Sequence, residues 1–234
     1  MTAQTVQIVD ANTMFGIHPA HKLDMSPERL IRDMDRHRIA GSLTLSTIGV
    51  FHDHVIGNAA TLEAAKANNR LVPVATVNPK AYFGEDLSSL RSQGFRILRF
   101  FGDTDSPVFK TIMAQLAAVK LPIVLDQLTH HSSLITLDYP APIILCSVTN
   151  ETLSDALAVM AELPNVMLET HCLSALGALE MASGRVGSDR VIFGSGAPIL
   201  SVSAALSYIL SAEISDEDKA KILGGNIRRI LEAA

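Results

Sequence analysis

Residues 191–200 read "VIFGSGAPIL", a stretch typical of one buried strand and the turn that follows it. Its first residues are continuously apolar, as expected for a strand that is covered on both faces of a parallel sheet. The strand then runs into Gly194, Ser195 and Gly196, and Pro198 opens the next segment. A strand that ends in such a turn often presents a functional group, yet this tip carries a single hydroxyl. The question is what such a tip is built to hold.

Apolar runs of the same kind recur along the whole chain, and a helix-like stretch follows most of them. The candidate strands are residues 6–11, 41–47, 71–77, 95–101, 122–127, 141–148, 165–170 and 190–195. Eight such units in 234 residues predict an α/β fold, a single compact (β/α)8 TIM-like barrel domain over residues 1–234. A doubly wound open sheet is the alternative, and the even spacing of the units favours the closed barrel.

Several helix starts are marked in the sequence. Ser26 and Ser106 each precede a proline, which predicts an N-cap hydroxyl followed by proline at the first helical position. Ser215 stands three residues before Asp218, an arrangement similar to a capping box. The "GGN" at residues 224–226 predicts that the preceding helix stops there and that Asn226 caps a last short helix.

Composition excludes some classes of partner. The net charge is −5 and lysine and arginine form no cluster, so a nucleic-acid partner is not expected. The uncharged run at residues 191–212 contains glycine, proline and five serines, which predicts a buried strand and helix rather than a membrane span. No secretory signal precedes the first strand, and Cys146 and Cys172 lack metal-site spacing. We therefore expect a cytoplasmic protein with reduced, buried thiols.

In a TIM-like barrel the functional side chains lie at the carboxyl ends of the strands. In this sequence these positions carry Asp10, Asn12, Met14, Ser46, Thr47, Asn78, Arg99, Asp126, Gln127, Ser147, Thr149, Glu169, His171 and Ser195.

The chain resembles the amidohydrolase-related (amidohydrolase 2) proteins, which are TIM-barrel metal-dependent hydrolases. The clearest match is the C-terminal region, from "GSDRVIFGSGAPIL" at 187–200 to "ISDEDKAKILGGNIRRIL" at 214–231. The opening "IVDANTMFG" at 8–16 resembles the family's Asp-x-His-x-His-x-Gly, and "GFRILRFFGD", "LPIVLDQ" and "YPAPIILCSV" are weaker matches. The resemblance implies the barrel fold and a small-molecule substrate.

The metal site that this resemblance implies is absent residue by residue. The positions of the family's ligands, two histidines of the opening, one histidine each of the fifth and sixth strands and the aspartate of the eighth, carry Asn12, Met14, Asp126, Ser147 and Gly196. Because a hydrolytic metal site needs several converging nitrogen, sulfur or carboxylate ligands, we expect no metal and no other cofactor. A site rebuilt from Asp126, Glu169 and His171 is the alternative.

Two residues are the main candidates for chemistry. Asp126 is expected to point into the barrel, where burial would raise its pKa and make it a general acid or base. The alternative is a carboxylate paired with Arg99, whose guanidinium could instead bind a substrate carboxylate or phosphate. His171 would assist catalysis. The other predicted substrate-binding residues are Asn12, Ser147 and Ser195, and Asp10 is expected to make buried hydrogen bonds.

The turn itself allows two interpretations. Ser195 with His171 and an acid would resemble a Ser-His-acid arrangement, but "FGSGA" lacks the G-x-S-x-G spacing of a nucleophile elbow. The backbone of residues 194–196 could instead bind an anion ahead of a helix start. The remaining histidines are expected in solvated loops, at His52 and His54 and at His130 and His131, while His18 and His21 follow the first strand at the functional face.

Three functions remain open from sequence. The first is a hydrolase or lyase that acts without the family's metal on a small anionic substrate such as a lactone or carboxylic acid. The second is a small-ligand-binding or regulatory barrel that has lost catalysis, and the third is a metallohydrolase with a rebuilt site. The expected partner is a small molecule, and since such barrels commonly pair, a homodimer is expected as well.

Overall fold

The computed structural model describes residues 6–20, 22–23, 25–102, 104, 106–126, 134 and 138–233. Each of the eight candidate strand regions contains strand structure, and the third is divided at Val74. The strands are β1 (Ile8–Phe15), β2 (Ile39–Ser46), β3 (Leu71–Pro73), β4 (Ala75–Val77), β5 (Leu98–Phe101), β6 (Ile123–Asp126), β7 (Ile143–Leu145), β8 (Val166–Glu169) and β9 (Val191–Ile192). The first strand runs four residues beyond the predicted end, so Asn12 and Met14 lie within it.

All neighbouring strands pair in parallel, in the orders β1-β2-β3 and β4-β5-β6-β7-β8-β9. The two sheets are continuous through the third region, because the Val74 N–H donates to the Thr44 carbonyl at 2.9 Å and the Ala75 N–H to the Ile97 carbonyl at 3.0 Å. At the other edge the Ala11 N–H donates to the carbonyl of Phe193 at 3.0 Å. The predicted TIM-like barrel is therefore confirmed.

The helices lie between the strands and after the last one. They are α1 (Pro27–His37), α2 (Thr47–Phe51), α3 (His54–Ala67), α4 (Leu90–Gln93), α5 (Pro107–Val119), α6 (Leu153–Glu162), α7 (Ala178–Val186), α8 (Val202–Ser211), α9 (Asp216–Ala220) and α10 (Asn226–Ala233). The predicted caps at Ser26, Ser106 and Ser215 are confirmed, since each hydroxyl accepts the N–H three residues on. In the described part of the chain no helix is long and apolar enough to cross a membrane.

The predicted helix stop at residues 224–226 is wrong. A π-helical turn, Lys221–Gly225, carries α9 directly into α10, and Asn226 has helical backbone angles. Its side-chain amide donates to the carbonyls of Ser188 and Val191, both at 2.7 Å. Asn226 therefore ties α10 to the base of β9 instead of capping a new helix.

Apolar side chains fill the lower barrel and polar ones its mouth. The interior layer includes Ile97, Val124, Ile144, Met167 and Ile192, and Ile227 and Ile230 of α10 close it from below. Because strand side chains alternate, the residue two positions later points the same way. Those next positions carry Arg99, Asp126, Cys146, Glu169 and Gly194. The fold thus brings the polar residues of several strands to one end of the barrel.

Candidate functional site in the barrel mouth

A buried polar layer occupies the mouth of the barrel at the carboxyl ends of the strands. Its members are Asn12 on β1, Arg99 on β5, Asp126 on β6, Cys146 directly after β7, and Glu169 on β8. Each is at most 5% exposed. Buried polar groups must find partners within the protein, so their hydrogen bonds define the site.

Arg99 is the centre of the first half of this layer. Its Nε donates to Asp126 Oδ2, and its Nη2 to Asp126 Oδ1 at 3.0 Å. Nη1 donates to the Asn12 amide oxygen at 2.5 Å, and Nη2 also approaches Cys146 Sγ at 3.3 Å. Ser147, which has a positive φ of 61°, donates its hydroxyl to Asp126 Oδ1 at 2.7 Å. Asp126 thus accepts hydrogen bonds from Arg99 and from Ser147. The guanidinium makes four contacts in all, with Asp126, Asn12 and Cys146.

The charges of this pair are fixed. Burial works against the charge of Arg99, but the Asp126 carboxylate outweighs burial and raises the pKa of the guanidinium. In the same way burial alone would raise the pKa of Asp126, and the adjacent Arg99 lowers it instead. The expectation of a raised pKa at Asp126 is therefore wrong, because the predicted alternative, an ion pair with Arg99, is present.

Glu169 and His171 form a second pair in the other half of the layer. Glu169 Oε2 lies 2.5 Å from His171 Nδ1, and Glu169 Oε1 accepts the backbone N–H of His171 at 2.8 Å. Burial disfavours the charge of His171, but Glu169 raises the pKa of the imidazole well above its usual range. The Cys146 thiol donates to the same Oε2 at 3.0 Å, and burial raises the pKa of that thiol. The Asn12 amide joins the two halves by donating to Oε2 at 3.2 Å.

Ser195 belongs to a third, separate group. Its hydroxyl donates to Asp10 Oδ2 at 2.5 Å, and its N–H donates to Asp10 Oδ1 at 2.9 Å. Asp10, buried as expected, also accepts the N–H of Asn12 at 3.0 Å. Burial raises the pKa of Asp10 to about 6, although the Ser195 hydroxyl acts in the opposite direction. Ser195 thus bonds to Asp10 and not to His171.

The backbone N–H groups of the turn are used within the protein. The Gly194 N–H points to Thr170 Oγ1 at 3.4 Å, and that of Gly196 donates to the Asn12 carbonyl at 2.9 Å. With the N–H of Ser195 on Asp10, all three have partners. No free N–H of residues 194–196 is therefore presented to an anion in this structure.

The glycines of this turn make room for the Glu169–His171 pair. A Cβ on Gly194 would lie 2.0 Å from Glu169 Oε1, and one on Gly196 would lie 3.2 Å from His171 Cδ2. Gly196 also has a φ of +71°, a conformation that favours glycine. The stretch at 191–200 thus contributes through the absence of side chains at Gly194 and Gly196. The sequence alone had pointed instead to the Ser195 hydroxyl.

A cavity of about 800 Å³ opens above the Arg99–Asp126 pair. Its lining includes apolar side chains, the cations of Arg99 and Lys80, and the carboxylate of Asp126. The full lining is Met14, His18, Val50, Phe51, Asn78, Pro79, Lys80, Arg99, Phe101, Gly102, Ser106, Val108 and Asp126. The guanidinium of Arg99 also stacks 4.8 Å from the centre of the Phe101 ring. The cavity is suited to a small, partly apolar anion.

The structure divides the predicted site residues. Arg99, Asp126, Asn12 and Ser147 form one network, with the first two lining the cavity, whereas His171 and Ser195 are not among the described residues around it. Sequence reasoning placed Glu169 in the mouth but missed the contacts that Cys146 makes with Arg99 and Glu169. The alternation Ile144–Cys146 on one strand was the available signal.

The predicted solvated histidines behave differently from one another. His52 is exposed as expected, but His54 at the start of α3 is buried, because the helix turns it inward. His18 lines the cavity. His21, His130, His131 and Gln127 lie outside the described residues.

The residues at the implied metal-ligand positions do not fit a divalent cation as they stand. Asn12 and Asp126 already bind the Arg99 guanidinium, and Gly196 offers no side chain. Of the described residues, one group of three has ligand atoms within 4.8 Å of one another, namely Cys146, Glu169 and His171. There the thiol and the imidazole share one carboxylate oxygen, and the guanidinium lies 3.3 Å from the sulfur. A metal ion bound there would have to displace the protons of the Cys146 thiol and the His171 imidazole, beside the fixed positive charge of Arg99.

The comparison with known families identifies the family of the chain. The model of the amidohydrolase family matches residues 47–233, which is more than half of the chain. No curated protein sequence is significantly similar to the chain.

Several solved structures share the fold at low sequence identity. A probable 2-pyrone-4,6-dicarboxylic acid hydrolase from Acinetobacter baumannii, with citric acid bound, has a TM-score of 0.70 at 14% identity, over 97% of this chain and 99% of that chain. A 5-carboxyvanillate decarboxylase from Sphingomonas paucimobilis has a TM-score of 0.75 at 14% identity, over 97% and 99%. A dihydroxybenzoic acid decarboxylase from Polaromonas, with manganese and the inhibitor 2-nitroresorcinol bound, has a TM-score of 0.76 at 16% identity, over 97% of both chains.

Proposed function

The chain belongs to the amidohydrolase family, and from this premise we propose that it is a hydrolase or lyase that acts without a metal on a small anionic substrate, a carboxylic acid or a lactone. One observation carries the proposal. A buried guanidinium, bound by the residues at two of the implied ligand positions, forms part of the wall of a cavity of about 800 Å³. Arg99 thus supplies the positive charge that a divalent cation would supply in a metal-dependent hydrolase.

Arg99 holds the substrate in this account. Of its five N–H groups, one on Nη1 has no partner among the described residues, because the four contacts to Asp126, Asn12 and Cys146 use the rest. That N–H donates to a carboxylate or to the oxygen on which negative charge develops. Lys80, which also lines the cavity, adds a second cation for the same anion.

Asp126 acts as the general base. Arg99 keeps its carboxyl ionised, so at neutral pH it can accept a proton but has none to donate. Water that attacks a lactone carbonyl would pass its proton to Asp126, while Ser147 and Arg99 orient the carboxylate. Asn12 fixes the guanidinium. His171 assists indirectly, since it pairs with Glu169, which accepts a hydrogen bond from the Asn12 amide and so helps to hold Asn12 against Arg99.

The relatives are consistent with this class of substrate. The decarboxylases and the pyrone hydrolase are named for small acids that combine a ring with carboxylate groups. Arg99 and Lys80, together with the apolar side chains of Val50, Phe51 and Phe101, provide the matching elements in this chain, a cationic wall and a ring-sized apolar surface.

A second function is favoured by one observation, the lowered pKa of Asp126. A carboxylate held by a bidentate arginine is a weak base, which suits a barrel that binds a small acid without converting it. A rebuilt metal centre at Cys146, Glu169 and His171 is the third function, and its signature is a metal ion bound in stoichiometric amount. A homodimer remains a prediction.

The test measures binding and turnover with the same protein. Titration calorimetry with benzoate, and with the neutral benzamide, reports whether the site selects an anion, and proton release from a simple aromatic lactone reports turnover. We expect benzoate to bind more tightly than benzamide, and Arg99→Gln to weaken benzoate binding about 10- to 100-fold. Lys80→Ala should weaken it less. Lys66→Ala is the matched control, because Lys66 is exposed and paired with Glu63 on α3, outside the residues that line the cavity.

Each outcome selects one function. Binding with turnover that survives chelator and persists in Cys172→Ser supports the metal-free enzyme at Asp126. Binding without turnover of any tested acid or lactone supports the binding barrel. Turnover that chelator abolishes supports the rebuilt metal centre. Equal affinity for benzoate and benzamide would contradict the assigned role of Arg99.

A further inference from the structure

A chain of three polar side chains follows the end of β8, within the sequence "ETHC" at residues 169–172. Glu169 Oε2 lies 2.5 Å from His171 Nδ1, and His171 Nε2 lies 3.0 Å from Cys172 Sγ. The two ring nitrogens therefore face different partners, a carboxylate on one side and a thiol on the other. This is the order carboxylate–imidazole–nucleophile that activates catalytic serines and cysteines.

The carboxylate end of this chain is buried, and the other two members are partly exposed. Glu169 is 1% exposed, the His171 side chain is 10% exposed, and Cys172 is intermediate. The carboxylate is thus shielded from competing water, and the nucleophile lies at the less buried end. Cys146 offers the contrast within the same protein, because its thiol is 2% exposed and donates to Glu169.

The glycine turn after β9 supports the geometry independently. Gly194 leaves the space that the Glu169 carboxylate occupies, and Gly196 leaves space beside the His171 ring, since a Cβ at either position would lie 2.0 Å or 3.2 Å from them. Cys172 is not among the three atoms nearest to a Cβ placed at either glycine. The fold therefore holds the carboxylate and the imidazole in place and leaves the thiol at the open end.

We propose that Cys172 is a nucleophilic thiol that takes an acyl group from ester or lactone carbonyls, with His171 and Glu169 as its proton relay. In the reactive form Cys172 has released its proton to solvent and lies as a thiolate beside the His171 imidazolium. Its sulfur forms a bond to the carbonyl carbon and the C–O bond breaks. The departing oxygen receives the proton held on His171 Nε2, which gives an alcohol and a thioester. Water then attacks the thioester, His171 accepts the water proton, and the S–C bond breaks to release the acid and restore the thiolate–imidazolium pair.

The proposal does not depend on anion binding in the cavity, since Cys172 is not among the described residues that line it. The test uses 4-nitrophenyl acetate with the full chain. We expect one equivalent of nitrophenolate in a rapid first phase, one acetyl group on the intact protein, and that group on the peptide containing Cys172. Cys146 is the internal control, and we expect it to remain unmodified because it is buried.

Variants separate a relay from a merely accessible thiol. Cys172→Ser should abolish the first phase and the acetylated peptide. His171→Gln and Glu169→Gln should slow acylation, by about 100-fold for the histidine, and thermal melting shows whether each is folded. If His171→Gln does not fold, the peptide map of the natural protein and Cys172→Ser still decide. Acetylation only at lysines or Cys146, or an unchanged rate in folded His171→Gln, would overturn the proposal.

Discussion

Arg99 and His171 are both cations paired with a buried carboxylate at the mouth of one barrel, but they differ in what they can do with a proton. Arg99 faces Asp126 and the cavity, and a guanidinium keeps its charge at every physiological pH. His171 faces Glu169 and a thiol, and an imidazole exchanges protons readily. The Arg99–Asp126 pair is thus suited to holding a fixed charge, and the Glu169–His171 pair is suited to transferring a proton.

The largest effect is expected when the partner of the fixed charge is removed. Asp126→Ala leaves the guanidinium of Arg99 buried and uncompensated, so we expect a loss of about 3–5 kcal/mol in the free energy of unfolding, measured in urea. The double variant Arg99→Met with Asp126→Leu should recover much of this loss, because it removes both charges.

The exposed Asp155→Ala in the first turn of α6 is the control for a lost carboxylate, with an expected cost of about 0.3–1 kcal/mol. A double variant as unstable as Asp126→Ala would show that packing, and not charge, dominates this half of the layer.

The Glu169–His171 pair predicts how the free energy of unfolding changes with pH. Glu169 raises the pKa of His171 in the folded protein. The charged His171 therefore stabilises the fold fully below about pH 6.5, the pKa of histidine in the unfolded chain, and this stabilisation is lost as pH rises through the folded pKa. The free energy of unfolding should fall by about 1.4 kcal/mol for each pH unit between these values. His171→Gln should remove this slope between about pH 7 and 8, below the range in which the raised pKa of the Cys146 thiol adds a slope of its own. The Arg99–Asp126 pair adds none there. An identical slope in folded His171→Gln would contradict the assignment.

The glycine turn gives the next smaller effect. Gly194→Ala places a methyl group 2.0 Å from Glu169 Oε1, so the carboxylate must move, and we expect a loss of about 1–3 kcal/mol. Gly184→Ala in α7 is the matched control, because a Cβ there meets nothing within 4 Å. That change should stabilise the protein by about 0.5–1 kcal/mol. Equal effects of the two substitutions in thermal melting would exclude a close-packed role for Gly194.

An effect of similar size, about 2–3 kcal/mol, is expected at Asp10, which lies below both pairs. Burial raises its pKa to about 6 from 3.8, so its contribution to stability is present at acidic pH and is lost as pH rises through about 6. Asp10→Asn keeps acceptors for the N–H groups of Asn12 and Ser195 and should remove this change. Urea unfolding at pH 4 and pH 7 measures the difference, and an Asn variant with the natural pH profile would contradict it.

The fold could be predicted because its signals are local and repeated. Eight apolar runs separated by helical stretches identified every strand region, and serine–proline pairs marked two helix starts. The predicted stop at residues 224–226 failed because the amide of Asn226 has distant partners, Ser188 and Val191, which no local pattern shows.

The site could be predicted only in part, since its chemistry depends on pairings across strands. The sequence identified Arg99 and Asp126 and allowed for their ion pair, but not for its effect on the pKa of Asp126. It drew attention to Ser195 in "GSG", although the glycines on either side are what Glu169 and His171 require. Cys172 was interpreted as a buried thiol because a single residue after a strand gives no sign of its partner.

The metal content of the protein shows whether Arg99 takes the place of a metal ion in this barrel. Protein produced with manganese and zinc in the medium, and purified without chelator or metal-affinity resin, would be measured by elemental analysis. We expect far less than one transition-metal ion per chain and a thermal melting temperature that chelator does not change. One bound ion per chain, lost in Glu169→Gln or on chelation with a fall in melting temperature, would contradict it.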